Sequence, residues 1–147
     1  MTKETDLLHM QRAMTLAHSQ VGRTGKNPAV GCVITNAQGV KISEGATGDG
    51  GADHAEAMAL STLADGAAKG GTAYVTLEPC RERSAGGASC SERLVAAGIA
   101  RIVCSAADPH PKGAGGFDRL QEAGITVDIG LMEAEAADLY SEFFASL

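Results

Sequence analysis

A chain of 147 residues, 44% apolar and 20% charged, has the make-up of an ordinary globular protein, and one domain spanning 1–147 is expected. A net charge of −6 with 3% aromatic residues argues against nucleic acid as a partner, because such a surface needs basic patches and stacking rings. The opening MTKETDLLHM does not read as a secretory leader, and no apolar run approaches the roughly 20 residues of a membrane span, so a cytoplasmic protein with reduced cysteines and no membrane contact is expected.

Leu7, Met10, Met14, Ala17 and Val21 recur at three- and four-residue intervals and predict an amphipathic helix over 4–20, with His9 and His18 at its surface. RTGKNP breaks that helix at Gly25 and Pro28. AVGCVIT and VKISEG, separated by the turn NAQG, predict a strand hairpin. GATGDGGAD is a glycine-rich loop, but it lacks the G-x-G-x-x-G spacing of a dinucleotide site. A helix starting near His54 follows, then a strand over 72–77, a loop EPCRERSAGGAS, and a short helix CSERLVAAG ended by Gly98. ARIVCSA predicts a strand, DPHPKGAGG a loop, FDRLQEAG a helix, and ITVDIG a last strand. The final helix, 132–145, is expected to turn Met132, Ala136, Leu139 and Phe143 to one face.

This order, α-β-β-α-β-α-β-α-β-α, predicts a three-layer α/β/α sandwich around one mixed five-stranded sheet. The later strands alternate with helices and are expected to run parallel through right-handed crossovers.

The stretch DHAEAMAL places two polar groups at the mouth of an apolar helix. Capping is the simplest account, with Asp53 accepting from first-turn amides and Glu56 returning a bond to the cap. A second account takes in EPC after the next strand and Cys90 at the start of the helix beyond it. His54, Cys80 and Cys90 offer one imidazole and two thiolates, a zinc donor set that leaves one tetrahedral position open, as catalytic zinc sites do. Glu56 would then stand close enough to carry protons. A disulfide or two buried thiols is the alternative for Cys80 and Cys90, and the absence of a secretory signal counts against the disulfide. Cys32 and Cys104 lie within strand patterns and are expected in the core.

HAE with TLEPC resembles the cytidine/deoxycytidylate-type zinc deaminase superfamily, whose nucleobase members carry H-x-E and P-C-x-x-C motifs, here with a longer gap between the cysteines. NPAVGCVI, GTAYVTLEPC, AAGIARIV, DPHP and LQEAGITVDIGLMEAEA are similar to the deaminase half of the bifunctional riboflavin-biosynthesis deaminase/reductases, over nearly the whole chain. The resemblance implies a cytidine-deaminase-like fold, Zn2+ on His54, Cys80 and Cys90, Glu56 as proton shuttle, and a homodimer built by packing helices across a two-fold axis. Its implied substrate is an aminopyrimidine, diaminohydroxyphosphoribosylaminopyrimidine. The alternatives are another free base or nucleoside, of cytosine/cytidine or guanine type, and a tRNA-editing role that the acidic charge disfavours.

Several segments depart from the family pattern. RERSAGGAS between the cysteines replaces a segment like S-H-x-G-R-T-P-P, Thr47 stands where a histidine is usual, and His110 replaces the asparagine of DPNP. Asn27 matches a family position that contacts substrate, with a turn-forming role as the alternative. Arg81 and Arg83 either replace the family's phosphate-binding residues or are simply solvated. Asp108, at the carboxyl end of a strand, is expected to touch substrate, and the role of His110 stays open.

Overall fold

The computed structural model describes residues 3–51, 53–80, 89–108 and 115–145. Its elements are α1 (Lys3–Ser19), β1 (Gly31–Thr35), β2 (Lys41–Ala46), a 3-10 turn (Asp49–Gly51), α2 (Ala55–Ser61), β3 (Thr72–Val75), α3 (Cys90–Ala96), β4 (Arg101–Cys104), α4 (Gly116–Glu122), β5 (Thr126–Ile129) and α5 (Glu133–Ala145). The strands form one sheet in the order β2-β1-β3-β4-β5. β1 runs antiparallel to both β2 and β3, whereas β3, β4 and β5 are mutually parallel. The mixed sheet, its hairpin and its parallel half are as the sequence predicts.

Alternation along the central strands divides the core between two faces. Val33, Tyr74 and Val103 pack with Met10 and Ala13 of α1. Cys32, Ile34, Ala73, Val75, Ile102 and Cys104 belong to the larger cluster with Ala55 and Ala59 of α2, Leu94 of α3, and Phe117 and Leu120 of α4. Cys32 and Cys104 are therefore core thiols, both fully buried. Helix α2 lies very close to the sheet because β2 carries Gly45, where a Cβ would come within 2.6 Å of the Ala55 carbonyl oxygen and the Ala59 nitrogen. The hairpin turn is held by Asn36, whose Oδ1 accepts the main-chain N–H groups of Gln38 and Val40, each at 3.0 Å.

Helix α1 buries the middle of the predicted stripe but not its two ends. Leu7 and Val21 are 38% and 56% exposed, while Asp6 and Ala13 join Met10, Met14 and Ala17 inside. The reason is an ionic network that periodicity alone does not reveal. Asp6 accepts from the Tyr74 hydroxyl at 2.7 Å and from both terminal nitrogens of Arg101 at 3.0 and 2.8 Å, and Arg101 Nε donates to Asp128 at 2.8 Å. The Tyr74 ring also stacks, tilted, against His9 at 4.9 Å, which makes His9 half-buried rather than a surface residue. In α5 the inward side chains are Ala136 and Tyr140, with Leu139 and Phe143 only half-buried. Tyr140 is drawn inward by its hydroxyl, which donates to the Ala29 carbonyl at 2.8 Å and meets the Thr76 hydroxyl at 2.6 Å.

Asp6→Ala should lower stability by about 2–4 kcal/mol, because Tyr74 loses its acceptor and the largely buried Arg101 loses its main counter-charge. The Arg101 guanidinium holds the Asp6 carboxyl below its ordinary 3.8. A depressed carboxylate contributes stability above the unfolded value and loses it as pH falls through the folded one, so the wild type should lose this advantage below about pH 4. Chemical denaturation of both proteins at neutral and acid pH checks this; midpoints that agree at neutral pH would contradict it.

Candidate metal centre

Three chain segments meet at the carboxyl end of β3. The strand leads through buried Thr76 and Leu77 to Glu78, Pro79 and Cys80. Helix α3 starts at Cys90, and its N-cap is Ser89, whose hydroxyl accepts the Glu92 N–H at 3.2 Å. Helix α2 starts after His54, the N-cap residue, whose extended backbone (φ −78°, ψ 155°) makes the turn into the helix. The expectation that Asp53 caps this helix is thus displaced by one residue. The His54 side chain makes no cap hydrogen bond; its imidazole meets the cysteines instead.

His54 Nδ1 lies 3.1 Å from Cys90 Sγ and 3.6 Å from Cys80 Sγ, and the Cys90 main-chain N–H donates to Cys80 Sγ at 3.2 Å. The three donor atoms lie within 4.8 Å of one another. A tetrahedron with Zn–N of about 2.0 Å and Zn–S of about 2.3 Å has edges of about 3.5–3.8 Å, so the group fits that ion with small adjustments. Both cysteines are free thiols, and the disulfide alternative is not what forms.

The electrostatics suit a cation. Hydrogen bonding from the Cys90 thiol, then from His54 and the Cys90 main chain, holds Cys80 down to about 4. The same contact, with burial, pushes Cys90 up. Both cysteines would have to be thiolates to hold a divalent ion, so its binding would be accompanied by proton release. Glu56 stands in the first turn of α2 and is 3% exposed. Burial pushes its carboxyl up to about 7, against the lowering influence of its own main-chain N–H, His54 and the Cys90 thiol. A carboxyl group beside the metal donors, with no ion pair among the described residues, is placed to take and return protons.

Of the remaining candidates, Asn27, Thr47 and Asp108 are among the described residues. Asn27 is exposed, and its Nδ2 donates to the Gly51 carbonyl at 2.8 Å, tying the turn after α1 to the approach to His54. It also lines a separate cavity of about 530 Å³ between that turn and α5, together with Lys26, Leu139 and Phe143. Thr47 is buried, and its hydroxyl is used on main chain, accepting from Val30 N–H at 3.0 Å and donating to the Pro28 carbonyl at 3.3 Å. Asp108 is half-buried at the exit of β4. Arg81, Arg83 and His110 lie outside the described residues. Ser89 was not among the predicted residues, although S-x-x-E over Ser89 and Glu92 is a helix-start signal that would have found it.

Enzymes that remove an amino group from a heterocycle by zinc-assisted hydrolysis are the class that this fold and donor set define. Residues 3–106 match the family model of the cytidine and deoxycytidylate deaminase zinc-binding region. The riboflavin biosynthesis protein RibD of Escherichia coli (strain K12) is 47% identical over 94% of this chain, which spans 37% of that protein's length. The diaminohydroxyphosphoribosylamino-pyrimidine deaminase of Buchnera aphidicola (from Acyrthosiphon pisum) is 40% identical over 95% of this chain and 93% of its own. The solved structure of Acinetobacter baumannii RibD superposes with a TM-score of 0.89 at 40% identity, covering 97% of this chain and 40% of that one. The chain belongs to the cytidine and deoxycytidylate deaminase family, as a deaminase domain of the RibD type.

Proposed function

We propose that the chain hydrolyses the exocyclic amine of an aminopyrimidine carrying a ribose phosphate, diaminohydroxyphosphoribosylaminopyrimidine, the compound in the name of the Buchnera relative. The observation that carries this reading is the meeting of His54, Cys80 and Cys90 within 4.8 Å beside the buried Glu56, at the carboxyl end of β3. When zinc is bound by those three residues, it supplies Lewis-acid activation of water at neutral pH. His54, as the neutral imidazole, and Cys80 and Cys90, as thiolates, would hold it. Glu56 accepts a proton from the attacking water and passes it to the ring nitrogen next to the amine-bearing carbon. The water oxygen becomes bonded to that carbon, Glu56 then takes the remaining proton of that hydroxyl and delivers it to the amine, and the carbon–amine bond breaks to leave a carbonyl and ammonia. Asn27, Thr47, Asp108 and, beyond the described residues, Arg81, Arg83 and His110 are the proposed substrate-side residues, with Thr47 acting through the Pro28–Val30 main chain that it holds.

Ammonia release measured over aminopyrimidines, aminopurines and their ribosides, each with and without phosphate, tests this reading. The phosphorylated aminopyrimidine should have a KM about thirtyfold below that of its unphosphorylated analogue, the worth of one arginine–phosphate pair. Preference for an unphosphorylated base or nucleoside would transfer the chain to a cytosine/cytidine or guanine type. No ammonia from any compound would overturn the enzymatic reading.

We further propose a cytoplasmic homodimer joined through α3 and α4, which a salt link between Glu92 and Arg119 at 3.4 Å already holds side by side. No helix among the described residues is long and apolar enough to cross a membrane. A monomer by light scattering at micromolar concentration would overturn the dimer.

A further inference from the structure

Glu78 is a buried carboxylate two residues before a metal-donor cysteine, and the deaminase chemistry described above makes no use of it. Among the described residues its partners are all main chain. Oε1 accepts the Asp108 N–H at 3.0 Å, and Oε2 accepts the N–H groups of Gly115 at 3.2 Å and Phe117 at 3.1 Å. The Glu78 N–H in turn donates to the Ala106 carbonyl at 2.9 Å. One side chain therefore joins the exit of β4 and the start of α4 to the segment that carries Cys80. A second contact acts on the same junction. A Cβ at Gly116 would collide with the Pro79 carbonyl oxygen, so α4 begins backbone against backbone on the residue preceding Cys80.

We propose that Glu78 is a positioning residue, which fixes Asp108 and the first turn of α4 relative to the metal donors so that the substrate side of the site is preformed. The inference rests on the deaminase reading given above. A carboxylate has lone pairs for all three N–H groups, whereas a glutamine turns one amine toward them and must leave at least one opposed. The junction would loosen on the Asp108 side or the α4 side, while the Cys80 main chain keeps its link to Ser91, whose N–H donates to the Cys80 carbonyl at 3.1 Å.

The test uses the zinc-loaded full chain and the deamination assay. Glu78→Gln should keep its zinc and raise KM about tenfold or more, with kcat within about threefold. If Glu78 acts through Asp108, the KM effect should largely disappear in an Asp108→Ala background, since residues acting as one unit are not additive. An unchanged KM in the single variant, or fully additive effects in the double variant, would overturn the inference. So would zinc content and kcat falling together, which would make Glu78 a support for the metal segment alone. If Glu78→Gln does not fold, Glu78→Asp is measured in its place, and an unchanged KM there overturns the inference as well. A wild type that releases no ammonia overturns the deaminase reading and this inference with it, whereas an active wild type alongside an indifferent variant overturns only the role of Glu78.

Discussion

Glu56→Ala is expected to lower turnover by about three orders of magnitude while zinc content and fold persist. The side chain is buried beside His54 and the cysteines, but it is not one of the three donors, so its loss removes proton transfer without opening the metal site. Its position in the first turn of α2 could suggest a capping role, yet the N-cap is His54. A capping residue would show its loss in the denaturation midpoint, by about 1 kcal/mol, with little change in rate. A proton carrier shows the opposite pattern. Near-normal deamination by zinc-loaded Glu56→Ala would assign the proton steps to another group.

Cys90→Ala should weaken zinc binding by more than about a hundredfold, since even partners behind the ligands are worth 10- to 100-fold. Activity should vanish with the metal. The protein should also melt lower, because binding free energy at a site absent from the unfolded chain is folding free energy. Cys32→Ala is the informative contrast: it removes a fully buried sulfur from β1 and should cost stability through packing alone, leaving zinc at about one per chain. Elemental analysis after exhaustive dialysis reads both variants. Full zinc retention by Cys90→Ala would contradict the donor assignment.

The donor set was legible in the sequence because its members sit at element boundaries. His54 and Cys90 stand where helices begin and Cys80 lies in the segment that follows a strand, so the predicted elements alone bring them to the carboxyl end of the sheet. The β1–β2 hairpin and the parallel order of β3, β4 and β5 followed from the same alternation of patterns. What the sequence hid was polar burial. Leu7 was read as part of the buried stripe and Asp6 drew no reading, because periodicity counts apolar residues and cannot see that Tyr74 and Arg101 wait on the sheet for a carboxylate. Tyr140 shifted the buried face of α5 for the same reason, its hydroxyl being satisfied at Ala29 and Thr76. Glu78 passed unnoticed inside TLEPC because its partners are main-chain groups some 30 to 39 residues away, which carry no side-chain signature. Thr47 was legible as a departure from the family, but its engagement with Pro28 and Val30 was not.

The measurement that bears most directly on a hydrolytic deaminase is product analysis after reaction in heavy-oxygen water. The zinc-loaded wild type is incubated with the phosphorylated aminopyrimidine, and ammonia and the mass of the product are followed together. One heavy oxygen is expected in the product for each ammonia released, with both signals lost in Glu56→Ala. Ammonia release without heavy oxygen in the product, or no ammonia at all from a chain holding its zinc, would contradict hydrolytic deamination.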